Sequence, residues 1–385
     1  MRTSLLLSVL LLSVAGQSQA SFIGNTFTEA GGILTAMSSL PVSNSIASKG
    51  GTIVPLISAG QLPDTPAARI DMNLPTSPFS GVVSLNIRYR DPVTSAPLSF
   101  ICSGSMVSAT QILSAAHCVD TDGKGHVVDL TKPGTDVRAV FNTPTGFSLI
   151  SATKVVIHPN YQGFNICPDT STGCVNDDIS LITLATAAPS FAKIYKIATN
   201  VQALGTIFTQ VGFGTTGDGT LGYTPASASF FIKRSGKNSF DLFDTDDEAG
   251  FAPGSAHEVW YADFDGPVTS SDPAIVDRLC TLGFRCGTTL GNAIETNIGG
   301  GDSGGPSFIQ DADGNYLLVG NNTFGINFRN GRFGDIYGGI LLSGYTAFLA
   351  SNLVGAQFVP EPETLLLMLV GIAGLGLARR RRAAI

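Results

Sequence analysis

The chain has 385 residues and a formal net charge of −7, which argues against a nucleic-acid partner, because a phosphate-binding face needs a basic patch. Charged residues are only 13%, against roughly 25% in an average globular protein, while 45 Gly and 20 Pro imply many short strands joined by turns. An all-β architecture follows, with 43% hydrophobic residues to build its core.

The N-terminus reads as a secretory signal peptide over residues 1–20. Arg2 supplies the positive start, Leu5 to Val14 a short apolar stretch, and Ser18-Gln19-Ala20 a small-x-small cleavage site. Export implies an oxidising compartment. Residues 21–69 are rich in Gly, Ser, Ala, Thr and Pro and read as a pro-segment or loosely ordered leader. Short β-type runs then recur between turn residues: Gly81 to Leu85, Ile179 to Leu184, Phe208 to Phe213 and Tyr316 to Val319. Tyr345 to Val354 has helical character and predicts a short C-terminal helix. Asp241 to Glu248 holds five acidic residues. Clustered carboxylates suit a hard cation, but the stretch lacks the alternation of an EF-hand loop and reads as a solvated surface loop.

The six cysteines fall into three close pairs, Cys102/Cys118, Cys167/Cys174 and Cys280/Cys286. Proximity favours local pairing, although six cysteines allow many connectivities. None has zinc-knuckle spacing and the four His are scattered, so neither a metal site nor a cofactor is expected.

The C-terminus has three parts: the polar, Pro-rich junction Val359 to Glu363, the apolar stretch Thr364 to Ala378, and the basic run Arg379 to Arg382. The apolar stretch falls short of the roughly 20 residues that comfortably span a bilayer, and the arginines should stay cytoplasmic. This tail closely resembles the PEP-CTERM sorting signal of Gram-negative bacteria, whose motif matches Pro360-Glu361-Pro362. The resemblance implies that residues 357–385 are a temporary membrane anchor cut by a sorting enzyme of the exosortase type. It also implies export across the inner membrane, to the cell surface or extracellular matrix. A permanent anchor is the alternative.

Three motifs carry chemistry. Gly299-Gly300-Gly301-Asp302-Ser303-Gly304-Gly305-Pro306 places a serine among glycines that let the backbone bend tightly and aim N–H groups at one point. Ser114-Ala115-Ala116-His117-Cys118 offers a base. Asn176-Asp177-Asp178 directly precedes the apolar strand Ile179 to Leu184 and offers a carboxylate. Peptide hydrolysis by serine needs these groups: an activated hydroxyl, an oriented base and donors facing the oxyanion.

From Gly301 to Pro306 the segment is identical to the nucleophile motif of the chymotrypsin/trypsin family, and the His and Asp segments resemble their counterparts in it. The order His117, Asp178, Ser303 also agrees. The resemblance implies two six-stranded antiparallel β-barrels over residues 70–356 with the triad between them. It implies a secreted serine endopeptidase acting on protein or peptide substrates, with Ser303 as nucleophile, His117 as base and Asp178 as the orienting acid. Asp177 is the alternative acid. The N–H groups of Gly301 and Ser303 would form the oxyanion hole, and a Cys102–Cys118 bridge would fix the histidine loop. His158, in Ile157-His158-Pro159-Asn160-Tyr161, matches a structural segment.

Activation in this family pairs a new N-terminus with the Asp before the serine, here Asp302. Counting back from Val83-Ser84-Leu85 points to Arg69-Ile70, although Asp71-Met72-Asn73 departs from the family's Val-Gly-Gly. The specificity pocket departs too. Asn297 replaces the Asp of trypsins, and Gly299 occupies an expected Cys position. Thr323-Phe324-Gly325 matches the substrate-pairing strand, and Asp335, before Ile336-Tyr337, falls near the pocket floor. The rival function is a non-catalytic, protease-like surface or matrix-binding protein.

Overall fold

The computed structural model describes residues 57–359, apart from 92–93, 172, 225, 288 and 327, together with the backbone of Ser21–Phe22, which pairs with Ile101 and Phe100. The signal peptide, most of the leader, and the Pro-Glu-Pro, apolar and arginine parts of the tail lie outside the described residues. Among the described residues, no helix is long and apolar enough to cross a membrane.

The first half is a closed six-stranded antiparallel barrel. Its strands are β1 (Val82–Arg90), β2 (Pro97–Met106), β3 (Gln111–Ser114), β4 (Asp136–Thr143), β5 (Gly146–Ile157) and β6 (Ser180–Leu184). Pairing runs β2-β1-β4-β5-β6-β3, and β3 returns to β2 to close the ring. Side chains alternate between the two faces of each strand. Val83, Leu85 and Ile87 of β1 therefore join Met106, Ile112, Val137, Phe141 and Ile182 inside the barrel, while Val82 turns to a second apolar cluster.

The second half is a ten-stranded sheet. It includes β7 (Lys196–Ala198), β8 (Ile207–Gly212), β9 (Lys233–Ser239), β10 (Leu242–Thr245), β11 (His257–Asp263), β12 (Pro306–Gln310), β13 (Tyr316–Ile326) and β14 (Ile336–Leu341). The main path is β10-β11-β14-β13-β12-β8-β9, ending on Ile70–Asp71 beside β9. Only Phe240 and Asp241 separate β9 from β10, yet these two strands lie far apart along that path. Chain continuity there, with Asp241 N–H donating to Tyr261 O at 2.9 Å, links the sheet ends where a β9–β11 ladder would close a barrel. Phe208, Phe240, Trp260, Tyr337 and Leu341 fill this half.

Between the halves lies one shared cluster. Ile101, Leu113 and Leu181 from the barrel meet Val211, Phe213, Phe308, Phe324 and Ile340 from the sheet. The C-terminal helix α3 (Thr346–Asn352) adds Phe348 and Leu349 to it. Gln111 of β3 clasps the helix end, donating to Asn352 O at 2.8 Å and accepting from Val354 N at 2.7 Å. Tyr345, expected in the helix, belongs to a preceding 3-10 turn, Leu342–Tyr345. Two single-turn helices, α1 (Pro273–Val276) and α2 (Arg278–Thr281), are too short to leave a periodic signature.

Two expectations need correction. Residues 57–69 are not a loose leader. Ile57, Ser58 and Ala59 are fully buried, and Ser58 and Ala59 bridge to Asn297 and Asp218. A Cβ at Gly60 would lie 2.0 Å from Asn292 O, so this glycine is what lets the segment approach so closely. The acidic stretch is not a solvated loop either: Asp241 and Asp247 are buried, because β10 folds back onto β11.

Candidate active site

The histidine loop follows β3 and is tied down from several sides. Cys102 of β2 bonds Cys118, and Ser180 Oγ donates to Ala115 O at 2.8 Å. The other two local disulfides, Cys167–Cys174 and Cys280–Cys286, are also present. Asp178 ends the segment entering β6. One of its oxygens accepts the His117 backbone N–H at 2.8 Å, and the other lies 2.6 Å from His117 Nδ1. Asp178 is 1% exposed and His117 8%, so little water competes for this contact. Phe164 meets the imidazole edge-on at 5.2 Å. Asp177 takes a positive φ of 61°, which sends the two neighbouring carboxylates apart. Its oxygen lies 2.7 Å from His158 Nδ1, and His158 packs edge-on between Tyr345 and Phe348.

The Ser303 loop is pinned between the halves. Ser303 O accepts from Ser103 N at 2.8 Å, Gly301 O accepts from Ser103 Oγ at 2.9 Å, and Gly304 N–H donates to Asn322 O at 2.7 Å. Cys118 Sγ, itself 4.0 Å from His117 Nε2, lies 3.7 Å from Ser303 O. The structure thus brings the loops of His117, Asp178 and Ser303 to one place. Gly301 has φ 103° and Gly304 φ 77°, conformations that favour glycine. Asp302, Gly304 and Gly305 all donate backbone hydrogen bonds within the fold. Neither the Gly301 nor the Ser303 N–H donates to any of the described residues.

Asp302 points away into the interior and is fully buried. Burial pushes its carboxyl up to about 6, while N–H bonds from Gly299 and Gly214 and the charge of Arg234 pull it back. Arg234 is fully buried as well, and burial lowers it to about 8 against the opposing effect of Asp302. The register explains the pairing. Arg234 sits opposite Gly212, and a Cβ on Gly212 would lie 2.1 Å from Asp302 Oδ1. Paired residues project to the same face, so Arg234 leaves the sheet on the side of Asp302. Both its Nη atoms are buried without a hydrogen-bond partner among the described residues. Ile70 pairs with Arg234 on the far side, two strands from Gly212, and Arg69 is held by Asp64 at 2.7 Å.

Of the expected pocket residues, Asn297 is buried, with its amide 3.5 Å from Tyr223 Oη. Thr323 occupies the bulge opposite β14, and Phe324 and Gly325 pair with Gly338 and Tyr337. Asp335 is fully buried, and its two oxygens accept the backbone N–H groups of Arg329 and Gly331, at 2.6 and 2.5 Å. That carboxylate is engaged in holding its own loop. On the other flank of His117 lies a cleft of about 260 Å³, lined in part by Tyr89, Phe100, Asp120, Tyr161 and Phe164.

Sequence reasoning missed Ser103, Tyr223 and Arg234. Each is a common residue type in an ordinary strand or turn, and only tertiary pairing brings it to the site. For metal binding, Cys102, Cys118, Cys280 and Cys286 are spent in disulfides, which removes two of the candidate donor groups and leaves one made wholly of carboxylates, Asp246, Asp247, Glu248 and Glu258.

This is the trypsin fold, the fold of the trypsin-like serine proteases. Residues 75–231 match the Trypsin family model, and residues 358–382 match the PEP-CTERM protein-sorting motif. His117 and Asp178 fall inside the first match, and Ser303 lies beyond its end. The PEP-CTERM motif indicates export and sorting to the cell envelope. A trypsin-like protease of Streptomyces glaucescens is 26% identical over 227 residues, covering 58% of this chain and 64% of that protein. Brachyurin of Leptuca pugilator is 30% identical over 126 residues, 32% of this chain and 49% of the relative. Trypsin-1 of Gadus morhua is 31% identical over 141 residues, 35% and 45% respectively. The chain therefore spans less than two thirds of the length of each of these relatives.

Proposed function

We propose that the chain is an exported serine endopeptidase. In this reading Ser303 Oγ attacks the scissile carbonyl carbon while His117 takes its proton. The oxyanion is held by the N–H groups of Gly301 and Ser303. His117 then gives the proton to the leaving amine, and water repeats the sequence on the acyl-enzyme to release the acid. Asp178 holds the imidazole by its Nδ1 side and stabilises the imidazolium. Thr323, Phe324 and Gly325 offer backbone groups to an extended substrate, and Asn297 lies beside the pocket. The observation that carries this reading is the 2.6 Å contact of His117 Nδ1 with Asp178 Oδ2. Two N–H groups left without acceptors beside Ser303 support it, and losing one such donor typically costs about 2.7–4 kcal/mol of transition-state stabilisation.

In the same reading, residues 1–20 are removed on export. The tail over 357–385 holds the chain at the membrane through Thr364 to Ala378 until an exosortase-type enzyme cuts it.

The test is labelling with a serine-directed phosphonate, followed by peptide mapping. Label on Ser303, lost in His117→Ala, is expected. An unlabelled Ser303 in folded, secreted protein would favour a binding role instead. N-terminal sequencing of the labelled chain reads the activation step. A start at Ile70 supports cleavage after Arg69, whereas an upstream start leaves Arg234 as the counter-cation of Asp302.

A further inference from the structure

We propose that the groove between the β7–β8 connection and the β12–β13 hairpin is a membrane-docking face, which seats on an anionic phospholipid surface while the tail is inserted. The proposal rests on the reading of residues 357–385 as a membrane anchor.

The first argument is where the protease-like fold hands over to the tail. Phe358 and Val359 form a two-residue strand parallel to β7, paired with Ile197 and Ala198. Gln357 O accepts from Ile197 N at 2.8 Å, and Val359 O accepts from Thr199 N at 3.2 Å. Pro360-Glu361-Pro362 follows at once, and only residues 360–363 separate Val359 from the apolar stretch that begins at Thr364. A link of that length reaches at most about 17 Å when fully extended. The headgroup layer takes up about 6 Å of it. Once Thr364 enters the hydrocarbon, this edge of the second half stays within about 10 Å of the headgroups.

The second argument is the surface found at that edge. Val201 lies two residues beyond Thr199 and is 62% exposed, Leu204 is 42% and Ile207 51%. Single exposed apolar side chains are ordinary, but these three crowd one short connection. Val201 and Ile207 line one groove of about 680 Å³ together with Leu317 and Lys237.

Charge selects the occupant. Lys237 is exposed and forms no ion pair among the described residues. Lys196, exposed at the start of β7, lies within electrostatic reach of Asp311 on the opposite wall. Asp311 is itself engaged in its own turn, accepting the N–H groups of Asp313 and Asn315 at 3.0 and 2.8 Å. Apolar side chains flanked by lysines suit a bilayer interface. The apolar groups enter the boundary between headgroups and acyl chains, and the ammonium groups meet the phosphates. A protein partner would give no reason for the patch to lie where the anchor leaves the fold.

Docking of this kind would bring Pro360-Glu361-Pro362 to headgroup level, within reach of an enzyme that cuts at the membrane. It would also be reversible once the tail is cut, because a few apolar side chains hold a bilayer only weakly.

The test uses the full chain in vesicles of phosphatidylglycerol and phosphatidylcholine. Ala203→Cys, exposed between Val201 and Leu204, carries an environment-sensitive dye, and Thr145→Cys, exposed on the β4–β5 turn, carries the same dye as a control. Brominated phospholipids should quench the dye at position 203 about threefold more than the dye at 145. Replacing phosphatidylglycerol by phosphatidylcholine should weaken that quenching. Val201→Asp combined with Ile207→Asp should bring it down to the control level with the chain still in the vesicles, and unchanged Trp260 emission checks that this variant is folded. Equal quenching at the two positions in an anchored chain would overturn the proposal. So would a dye at 203 that is shielded without lipid, because the chain's own tail or a second copy would then fill the groove. A chain that fails to float with vesicles at all would overturn the anchor reading and the proposal with it, an outcome that flotation tells apart from the other two.

Discussion

Replacing Cys102 and Cys118 together by alanine should lower both stability and reactivity. The bridge spans 16 residues, and closing a loop of that size removes about 3 kcal/mol of unfolded-state entropy. Both cysteines are buried in the barrel core, so truncation adds two small cavities at ~1 kcal/mol each. The total, about 5 kcal/mol, is a large share of the 5–15 kcal/mol that typically holds a domain. Cys280–Cys286 provides the control. It spans 6 residues at the single-turn helix α2, and the same entropy argument gives only about 2 kcal/mol. Urea unfolding can be followed through the protein's one tryptophan, Trp260, which is fully buried. Because Cys118 adjoins His117 and touches Ser303 O at 3.7 Å, phosphonate labelling should slow more than tenfold in the first variant and hardly in the second. Equal losses in the two variants, or a loss below about 2 kcal/mol in the first, would refute the claim that this bridge anchors the histidine loop.

Gly304→Ala should destabilise by about 3 kcal/mol or more, since it combines a positive φ with a Cβ placed 2.0 Å from Ser114 Oγ; a thermal melt checks it. Asp302 makes stability pH-dependent. Its folded pKa of about 6 exceeds the ordinary 3.8, so the folded state holds the proton longer, and stability from this group falls as pH rises between those values, by about 3 kcal/mol. Asp302→Asn should flatten that part of a stability–pH curve, and Arg234→Met should extend the fall to higher pH, because it removes the charge that lowers the Asp302 pKa. Specificity should not favour Arg or Lys before the cut, because Asn297 is neutral and both oxygens of Asp335 already take loop N–H groups. A peptide panel showing strong Arg or Lys preference would require Asp335 to give up those bonds.

Much of the fold was legible along the chain. The four predicted β-runs all coincide with strands, because short runs rich in β-type residues and bounded by turn residues favour strands, and these are buried on both faces. The predicted helix starts at Thr346 rather than Tyr345. Tyr345 closes the 3-10 turn Leu342–Tyr345 that precedes the helix, a boundary that a propensity pattern does not register. The local disulfides followed proximity. The sequence favoured Asp178 over Asp177 for its place just ahead of the apolar run Ile179 to Leu184, and Asp178 is the carboxylate that meets His117 Nδ1. The geometry adds the reason, since the positive φ at Asp177 turns that side chain to His158 instead.

By itself the amino-acid sequence determined the strand-rich class, the order of His117, Asp178 and Ser303, and the tripartite tail. Those features are local, written in adjacent residues whose backbone needs or apolar spacing can be read directly. Tertiary structure alone decided the rest. It buried Ile57 to Ala59 under Asn297, set Arg234 on the Asp302 side of Gly212, engaged Asp335 with its own loop, and drew Glu258 to Asp247. Each of these depends on pairing between segments distant in the chain. Small residues and single charges carry no periodic signal that announces such a partner, and the free energy of the contact exists only once the sheets close.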